Sequence, residues 1–241
     1  MDFEKQAKRK ALILQNAQGE GPGILGRILD HNGWALKVFH LYRGDPVPSD
    51  WRYYDLLVVM GGPMNVYEEE ACPFLAEETR VIENALTEGF PVIGFCLGAQ
   101  LMAKAMGAVV VKGPEKEIGW YPVQLTEQGM EDPLLKSFPD KFIVFQWHGD
   151  TFELPENAVR LVGSDGYFNQ AMRIGSVSYG FQFHFEITRE MIAEWLKTGK
   201  QEIEEMDDKD LPGIILAKAN KHLPLLHFFA GSFFNNYLKS L

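Results

Sequence analysis

The chain has 241 residues, 46% of them hydrophobic, and a formal net charge of -10 at pH 7. A chain of this length and composition can bury a full core, so we expect a single domain over residues 1–241. The acidic balance argues against nucleic acid as a partner, because phosphate backbones are bound by clustered Lys and Arg. The chain has two cysteines, and its charged start, Met1 to Lys5, has no apolar segment close behind it. We therefore expect a reduced, cytoplasmic protein.

Short apolar runs alternate with helical patterns through the first half of the chain. They cover residues 11–15, 23–31, 35–41, 56–61, 70–88 and the strand that follows Pro91. This alternation is typical of βαβ units, which form a parallel sheet with helices on both faces. Ligands bind such a sheet at the carboxyl ends of its strands. The glycine-rich segment 19–23 lacks the Gly-x-Gly-x-x-Gly order of a phosphate-binding loop, and we interpret it as a loop that leads into a helix.

The most informative segment is Gly94-Phe95-Cys96-Leu97-Gly98, which follows an apolar run at 91–93. A buried strand that ends in a glycine-flanked cysteine and runs straight into a helix presents a nucleophile at a sharp turn. The flanking glycines let the strand and the helix approach closely. An isolated thiol has a pKa of about 8.5, so Cys96 needs help from the helix N-terminus and from a histidine to become the attacking thiolate.

Residues 90–111 are mostly apolar and about as long as a membrane-spanning helix. Pro91, Gly94, Gly98 and Gly107 interrupt this run at turn positions. A strand, a sharp turn, a helix and a second strand account for the same residues, so we expect no membrane contact.

Six histidines are candidates for the base that activates Cys96, and His184 is the strongest of them. Segment 180–186 ends a strand, and side chains two positions apart on a strand share a face, so His184 and Glu186 are expected to point the same way. A carboxylate beside imidazole fixes its tautomer and stabilises the imidazolium. The alternative is a surface histidine with an accidental glutamate nearby, which the cysteine at the sharp turn makes the weaker interpretation.

A thiolate that attacks an acyl carbon also needs donors for the oxyanion, and fixed backbone N–H groups serve best. The sharp turn offers one from Leu97. Gly61-Gly62-Pro63 follows an apolar strand at 57–60 and is expected at the same edge of the sheet, where it could supply a second. The alternative for these three residues is an ordinary strand-ending turn.

The second half of the chain is rich in strands and then ends in a helical pattern. Apolar runs at 109–111, 120–125, 142–147, 158–163 and 176–185 predict an extension of the sheet with little helix. After an acidic stretch at 202–210, apolar residues recur at helical spacing from Leu225 to Leu241, which predicts an amphipathic helix. Packing on the chain's own core is favoured over a partner face, but the sequence leaves a homo-oligomer possible.

Three segments, Gly61 to Pro63, Gly94 to Gln100 and Gly180 to Glu186, together with Trp147-His148-Gly149-Asp150, agree in order and spacing with a known family. They resemble the class I glutamine amidotransferases, and in particular the amidotransferase domain of GMP synthase. The resemblance runs from about residue 11 to 186. It implies an α/β, flavodoxin-like three-layer fold with a mostly parallel central sheet, with a catalytic core over about 11–197 and a helical extension over about 198–241.

By this resemblance, the protein hydrolyses the side-chain amide of glutamine through a γ-glutamyl thioester and delivers the ammonia to a synthase. The resemblance assigns Cys96 as nucleophile, His184 as general base and then acid, Glu186 as its orienter, the N–H groups of Gly62 and Leu97 as the oxyanion hole, and Gln100, Trp147 and Asp150 as substrate contacts. No cofactor is implied. No metal site is expected either, because neither His-Glu-x-x-His nor paired Cys-x-x-Cys is present.

Two departures from the family pattern bear on function. Phe185 occupies the position between the histidine and the glutamate where the family usually has proline, which predicts a looser Glu186. No nucleotide-binding loop of a synthetase half is present, so the ammonia acceptor is expected to be a separate synthase subunit or water. Two alternatives therefore stay open: a γ-glutamyl peptide or amide hydrolase with the same triad, and a catalytically silent regulator that binds glutamine. Cys72 is interpreted as an incidental or buried thiol.

Overall fold

A computed structural model describes residues 8–241, so the charged start at Met1 to Lys5 lies outside the described residues. The strands are β1 (Lys10–Gln15), β2 (Ala35–His40), β3 (Leu56–Val59), β4 (Val92–Phe95), β5 (Val110–Leu125), β6 (Lys141–Phe152), β7 (Ala158–Gly163), β8 (Ala171–Ile174) and β9 (Ser178–Phe181). The helices are α1 (Gly23–His31), α2 (Phe74–Thr87), α3 (Leu97–Ala105), α4 (Glu127–Glu131), α5 (Arg189–Thr198), α6 (Lys200–Glu205) and α7 (Leu211–Ser240). Single 3-10 turns occur at Leu41–Arg43 and Trp51–Tyr53.

All nine strands form one sheet in the order β2-β1-β3-β4-β9-β8-β7-β5-β6. The first five strands in this order, β2, β1, β3, β4 and β9, run parallel to one another. The remaining neighbours, from β9 through β8, β7 and β5 to β6, pair antiparallel. The parallel half is built from the βαβ units predicted for the first half of the chain, and the antiparallel half is the predicted extension. The α/β fold class is confirmed.

Helices cover both faces of the sheet, and the alternation of side chains along β1 shows how the sheet serves two cores. Ala11 and Ile13 belong to the core shared with α1, α5 and α7, whereas Leu12 and Leu14 belong to the core shared with α2 and α3. Successive side chains of a strand point to opposite faces, so a strand buried on both sides is apolar throughout. The three-layer arrangement follows from this pattern.

Some boundaries differ from the prediction. α1 matches the predicted 23–31, but β5 is one strand of 16 residues with an irregularity between Lys112 and Glu117. β8 was not predicted, because Arg173 interrupts its four residues, which therefore do not form an apolar run of the kind that marks the other short strands. The run expected to continue as a strand to residue 185 ends at Phe181.

Helix α7 places its apolar stripe on the chain's own core, as the sequence favoured. Phe229, Phe233, Phe234 and Tyr237 are buried there, whereas Leu225, which was part of the predicted stripe, is 56% exposed. The ring of Phe233 lies 5.2 Å from those of Tyr179 and Phe181 and 5.6 Å from that of Phe185. Edge-to-face and tilted aromatic pairs at such distances stabilise a core beyond the area that they bury.

The apolar stretch at 90–111 folds as β4, the sharp turn, α3 and the start of β5. Across residues 8–241 the structure contains no helix with the length and hydropathy that a membrane crossing requires.

Substitution of Phe233 by Ala is expected to lower the free energy of unfolding by about 3–5 kcal/mol, because a buried ring is replaced by a cavity. Phe228→Ala is the matched control: that ring lies on the same helix but is 63% exposed, so we expect a change within about 0.5 kcal/mol. Urea unfolding followed by circular dichroism measures both. Equal losses in the two variants would show that α7 is not part of the core.

Candidate active site

Cys96 lies between β4 and α3 in a conformation that few side chains adopt, with φ 48° and ψ -107°. Its two glycine neighbours make this turn possible. A Cβ at Gly94 would lie 2.6 Å from the carbonyl carbon of Gly98, and a Cβ at Gly98 would lie 2.2 Å from the carbonyl oxygen of Val59. The sharp turn is therefore tightly packed against two strands, and it places the sulfur at the N-terminus of α3, where the helix dipole favours an anion.

His184 and Glu186 meet on the same side of the chain, as predicted, although β9 ends before them. The Nδ1 atom of His184 lies 2.7 Å from Oε1 of Glu186, and both side chains are almost completely buried. The His184 backbone N–H donates to the carbonyl of Phe145 on β6 at 2.8 Å, which fixes the residue without a continuous strand. The indole of Trp195 packs edge-on against the imidazole at 4.7 Å.

The surroundings of His184 favour its charged form. Burial alone disfavours an imidazolium, but the charge and hydrogen bond of Glu186 and the contact with Cys96 outweigh burial and raise the pKa of His184 well above its ordinary value of 6.5. The cysteine and the histidine, which lie far apart in the sequence, thus line the same cleft and influence each other's charge. An imidazolium beside a sulfur favours the thiolate by charge attraction.

Phe185, at the position of the family's proline, is held by its surroundings. Its ring packs 4.5 Å from that of Phe181 and 4.9 Å from that of Phe234 on α7. On the following residue, the carbonyl of Glu186 accepts a 2.8 Å hydrogen bond from the N–H of Ile24 in the first turn of α1. These contacts oppose the looser Glu186 that the missing proline predicts.

The two predicted oxyanion donors lie close together at the edge of the sheet. A Cβ at Gly62 would lie 2.9 Å from Cδ2 of Leu97, so the loop after β3 packs directly on the sharp turn. Leu97 is the first residue of α3, and its N–H has no acceptor within the helix. Among the hydrogen bonds of residues 8–241, neither of these two N–H groups has a protein acceptor.

Gln100, Trp147 and Asp150, predicted as substrate contacts, all line the same cleft. The Cys96 sulfur lies 3.7 Å from the carbonyl oxygen of Trp147. The amide of Gln100 donates at 3.2 Å to the carbonyl of Asp150 and to the side chain of Gln182, so it ties α3 to β6. Gln182, which the sequence did not single out, also donates to the Cys96 sulfur at 3.5 Å.

The Asp150 carboxylate accepts a hydrogen bond of 3.0 Å from the Tyr67 hydroxyl. Behind it, His148 is buried between the Asp150 carbonyl at 3.0 Å and the Glu117 carboxylate at 3.2 Å. This second histidine–carboxylate pair supports β6 below the cleft. Within the part of the chain that the structure describes, no group of three His, Cys, Asp or Glu side chains is arranged to hold a metal ion.

Glu20 is the main residue of the site that sequence reasoning missed. It comes from the loop before α1. If Gly61 carried a Cβ, that atom would lie 2.3 Å from Oε2 of Glu20 and 3.2 Å from Cε1 of His184, so the carboxyl group and the imidazole both border the same small space beside Gly61. Burial raises the pKa of Glu20 to about 7, His184 opposes that rise, and the charges of Glu186 and Glu202 add to it. The only sequence signal was its place just after the carboxyl end of a strand.

The cleft above the cysteine has a volume of about 1040 Å³. Its rim includes α6, where the Lys116 ammonium from β5 bonds to Glu205 at 2.9 Å and to Glu202 at 3.4 Å. Carboxylates outnumber ammonium groups around it. The charged side chains that line it are Glu20, Glu68, Glu115, Asp150, Glu202 and Glu205 against Lys112 and Lys116.

Substitution of Glu186 by Gln is expected to lower the pKa of His184, because it removes the negative charge that stabilises the imidazolium. Alkylation of Cys96 by iodoacetamide near neutral pH should then slow on the order of tenfold. The rate is measured against pH in a Cys72→Ser background, so that only one thiol reacts. An unchanged profile would show that Glu186 does not act on the histidine.

Comparisons with known proteins agree with this geometry. A family model, glutamine amidotransferase class-I, matches residues 25–199. The glutamine amidotransferase-like protein YfeJ of Salmonella typhimurium is 36% identical over 193 residues, which are 79% of this chain and 81% of the relative. The GMP synthase of Thermosipho africanus is 33% identical over 135 residues, 55% of this chain, and the match spans 24% of that relative's length. A crystal structure of a glutamine amidotransferase from Thermotoga maritima has a TM-score of 0.87 and 33% identity, and the match covers 96% of this chain and 99% of that one. The chain belongs to the class I glutamine amidotransferase family.

Proposed function

We propose that this protein releases ammonia from the side-chain amide of glutamine through a γ-glutamyl thioester on Cys96. The observation that carries the proposal is that Cys96 and His184 line one cleft and that His184 bonds to Glu186 at 2.7 Å, with Cys96 and Glu186 both favouring a charged imidazole. Family membership supports glutamine as the substrate.

The chemistry follows the geometry. The thiolate of Cys96 attacks the amide carbon, and the N–H groups of Gly62 and Leu97 stabilise the oxyanion. The imidazolium of His184 donates its proton to the leaving nitrogen, which departs as ammonia and leaves the thioester. The neutral imidazole then takes a proton from water, which attacks the thioester and releases glutamate. Glu186 stabilises the charged imidazole in each cycle.

The ammonia acceptor is proposed to be a separate synthase subunit, or water. The name of the Thermosipho relative, GMP synthase, describes a glutamine-hydrolysing synthase of which this chain matches only a part. That likeness supports a synthase as partner. It does not identify the product.

A γ-glutamyl peptide or amide hydrolase is the second candidate, and the size of the cleft favours it. Pockets of about 300–1,000 Å³ bury drug-sized ligands, so a cleft of about 1040 Å³ has room beyond one amino acid. Glu20 lies beside His184 and lines the same cleft. A carboxylate there would accept hydrogen bonds from an amine as well as from ammonia.

The catalytically silent regulator is the weakest candidate. A binding site has no need for a cysteine in a strained conformation, and such strain is concentrated at active sites.

Substitution of Cys96 by Ala is expected to lower ammonia release from glutamine by at least about 10³-fold, because the covalent route is removed. A coupled glutamate dehydrogenase assay measures the release. Cys72→Ala is the matched control and should keep the wild-type rate, because Cys72 does not line the cleft. Full activity in the Cys96→Ala protein would refute the proposal.

A chloroketone analogue of glutamine distinguishes the silent regulator from an enzyme whose partner is absent. An assembled site directs the reagent to Cys96, and mass spectrometry of the digested protein should find that thiol labelled well before Cys72. Equal labelling of the two cysteines would favour the silent regulator.

Relative turnover of glutamine and γ-glutamyl dipeptides separates the two enzymatic candidates. If ammonia release is the function, kcat/KM for glutamine should exceed that for the dipeptides by about tenfold or more, a difference of about 1.4 kcal/mol in transition-state binding. Glutamate release, measured for both substrates, is the common readout. A preference for the dipeptides would establish the second candidate instead.

A further inference from the structure

Helix α2 carries a buried carboxyl group that the proposed mechanism does not use. Glu78 is 0% exposed, and neither of its carboxyl oxygens has a hydrogen-bond partner among residues 8–241. It lies against the side-chain amide of Asn16, which is also 0% exposed and whose Oδ1 atom likewise has no partner in the described part of the chain. Three unpartnered buried oxygens are thus gathered at one place.

One proton can satisfy all three oxygens. An ionised carboxylate only accepts hydrogen bonds, so it could pair with the N–H of the Asn16 amide but would leave Oδ1 of Asn16 without a donor. A neutral Glu78 can donate its O–H to Oδ1 and accept an N–H of the same amide with its other oxygen, which closes a cyclic acid–amide pair. Buried polar groups are rarely left unpaired, because each unpaired group destabilises the folded chain.

The charges around Glu78 agree with a neutral acid. Burial raises its pKa to about 8, the Asn16 amide opposes that rise, and no charged group contributes. α3 and β4 pack on α2. β4 has no charged side chain, and the one charged residue of α3, Lys104, bonds to Glu69 at 2.6 Å. The other charged residues of α2, namely Glu77, Arg80 and Glu83, are exposed.

Asn16 connects this pair to the Met60–Gly62 loop after β3, here called the oxyanion loop because it carries the proposed donor N–H of Gly62. Its Nδ2 atom donates to the carbonyl of Met60 at 3.0 Å, in a fully buried hydrogen bond. Met60 immediately precedes Gly61 and Gly62, and a Cβ at Gly62 would lie 3.2 Å from the Cβ of Asn16. The Asn16 amide therefore holds the carbonyl side of Met60, whose N–H is held by the carbonyl of Leu14 at 3.0 Å.

We propose that Glu78 and Asn16 are positioning residues: neutral Glu78 pairs with the Asn16 amide and thereby holds the Met60–Gly62 loop, whose N–H at Gly62 completes the oxyanion hole. The catalytic consequence rests on the proposed function. The pair itself does not, because it is a property of the folded chain.

Ionisation of Glu78 should weaken both the fold and the loop. In the folded chain the pKa of Glu78 is about 8, whereas in the unfolded chain it has the ordinary value of 4.5. The folded state binds more protons between these two values, so stability falls as pH rises from 4.5 and levels off above 8. The oxyanion loop loses its support over the upper end of this range.

The test compares Glu78→Gln with Glu78→Met. A Gln amide donates and accepts as the neutral acid does but does not titrate, whereas Met has a similar length and forms no pair. Infrared difference spectra between wild type and Glu78→Gln at neutral pH should show the C=O band of a protonated carboxyl group. The melting temperature of Glu78→Gln minus that of wild type should increase as pH rises from 5 to 8. Neither readout depends on activity.

Turnover supplies the third readout. Glu78→Met should lower kcat on the order of tenfold with KM unchanged, less than the 10²–10³ lost with a whole oxyanion donor. Glu78→Gln should restore kcat at pH 7 and remove the decline of kcat toward pH 9 that Glu78 causes in wild type.

If the carboxyl band is absent, or if the melting temperatures of wild type and Glu78→Gln depend on pH in the same way, the proposed acid–amide pair does not form. Unchanged kcat in a folded Glu78→Met would overturn its positioning role. If wild type hydrolyses neither glutamine nor γ-glutamyl amides, the proposed function fails, and the infrared and thermal readouts still decide whether the pair exists.

Discussion

The close approach of α3 to the sheet is the constraint on which the rest of the site depends. Gly98 lies so near the carbonyl of Val59 that no side chain fits between them. This contact fixes the turn at Cys96, which in turn directs the sulfur toward His184 and places the Leu97 N–H beside the loop after β3. The proposed nucleophile, base and oxyanion donors therefore come from separate elements whose relative positions are set by backbone packing, and not by flexible side chains.

The charges at the floor of the cleft form a coupled set. The imidazole of His184 is flanked by Glu186 in a short hydrogen bond and by Glu20 across the position of Gly61. Each carboxylate favours a charged imidazole, and the charge of Glu186 helps to raise the pKa of Glu20. Because Glu20 has a pKa of about 7, its charge changes in the pH range in which the protein would work.

Much of the site was predictable because parallel strands end at one edge of a sheet. Cys96, His184 and the Gly61 to Pro63 turn each follow a recognisable strand, so their meeting follows from topology. Glu20, Gln182 and Glu78 were not predictable in the same way. Their importance comes from burial and from contacts between distant segments, neither of which leaves a periodic pattern in the sequence. The four residues of β8 were missed because the charged Arg173 interrupts their apolar pattern.

The aromatic packing of α7 has a consequence for how the protein is made. The rings of Phe233 and Phe234 pack on Phe185, which lies in the sequence between His184 and Glu186. Both rings are translated long after Glu186. A nascent chain that has already folded its parallel sheet therefore still lacks this part of the packing around Phe185, and it gains it only when α7 forms and docks.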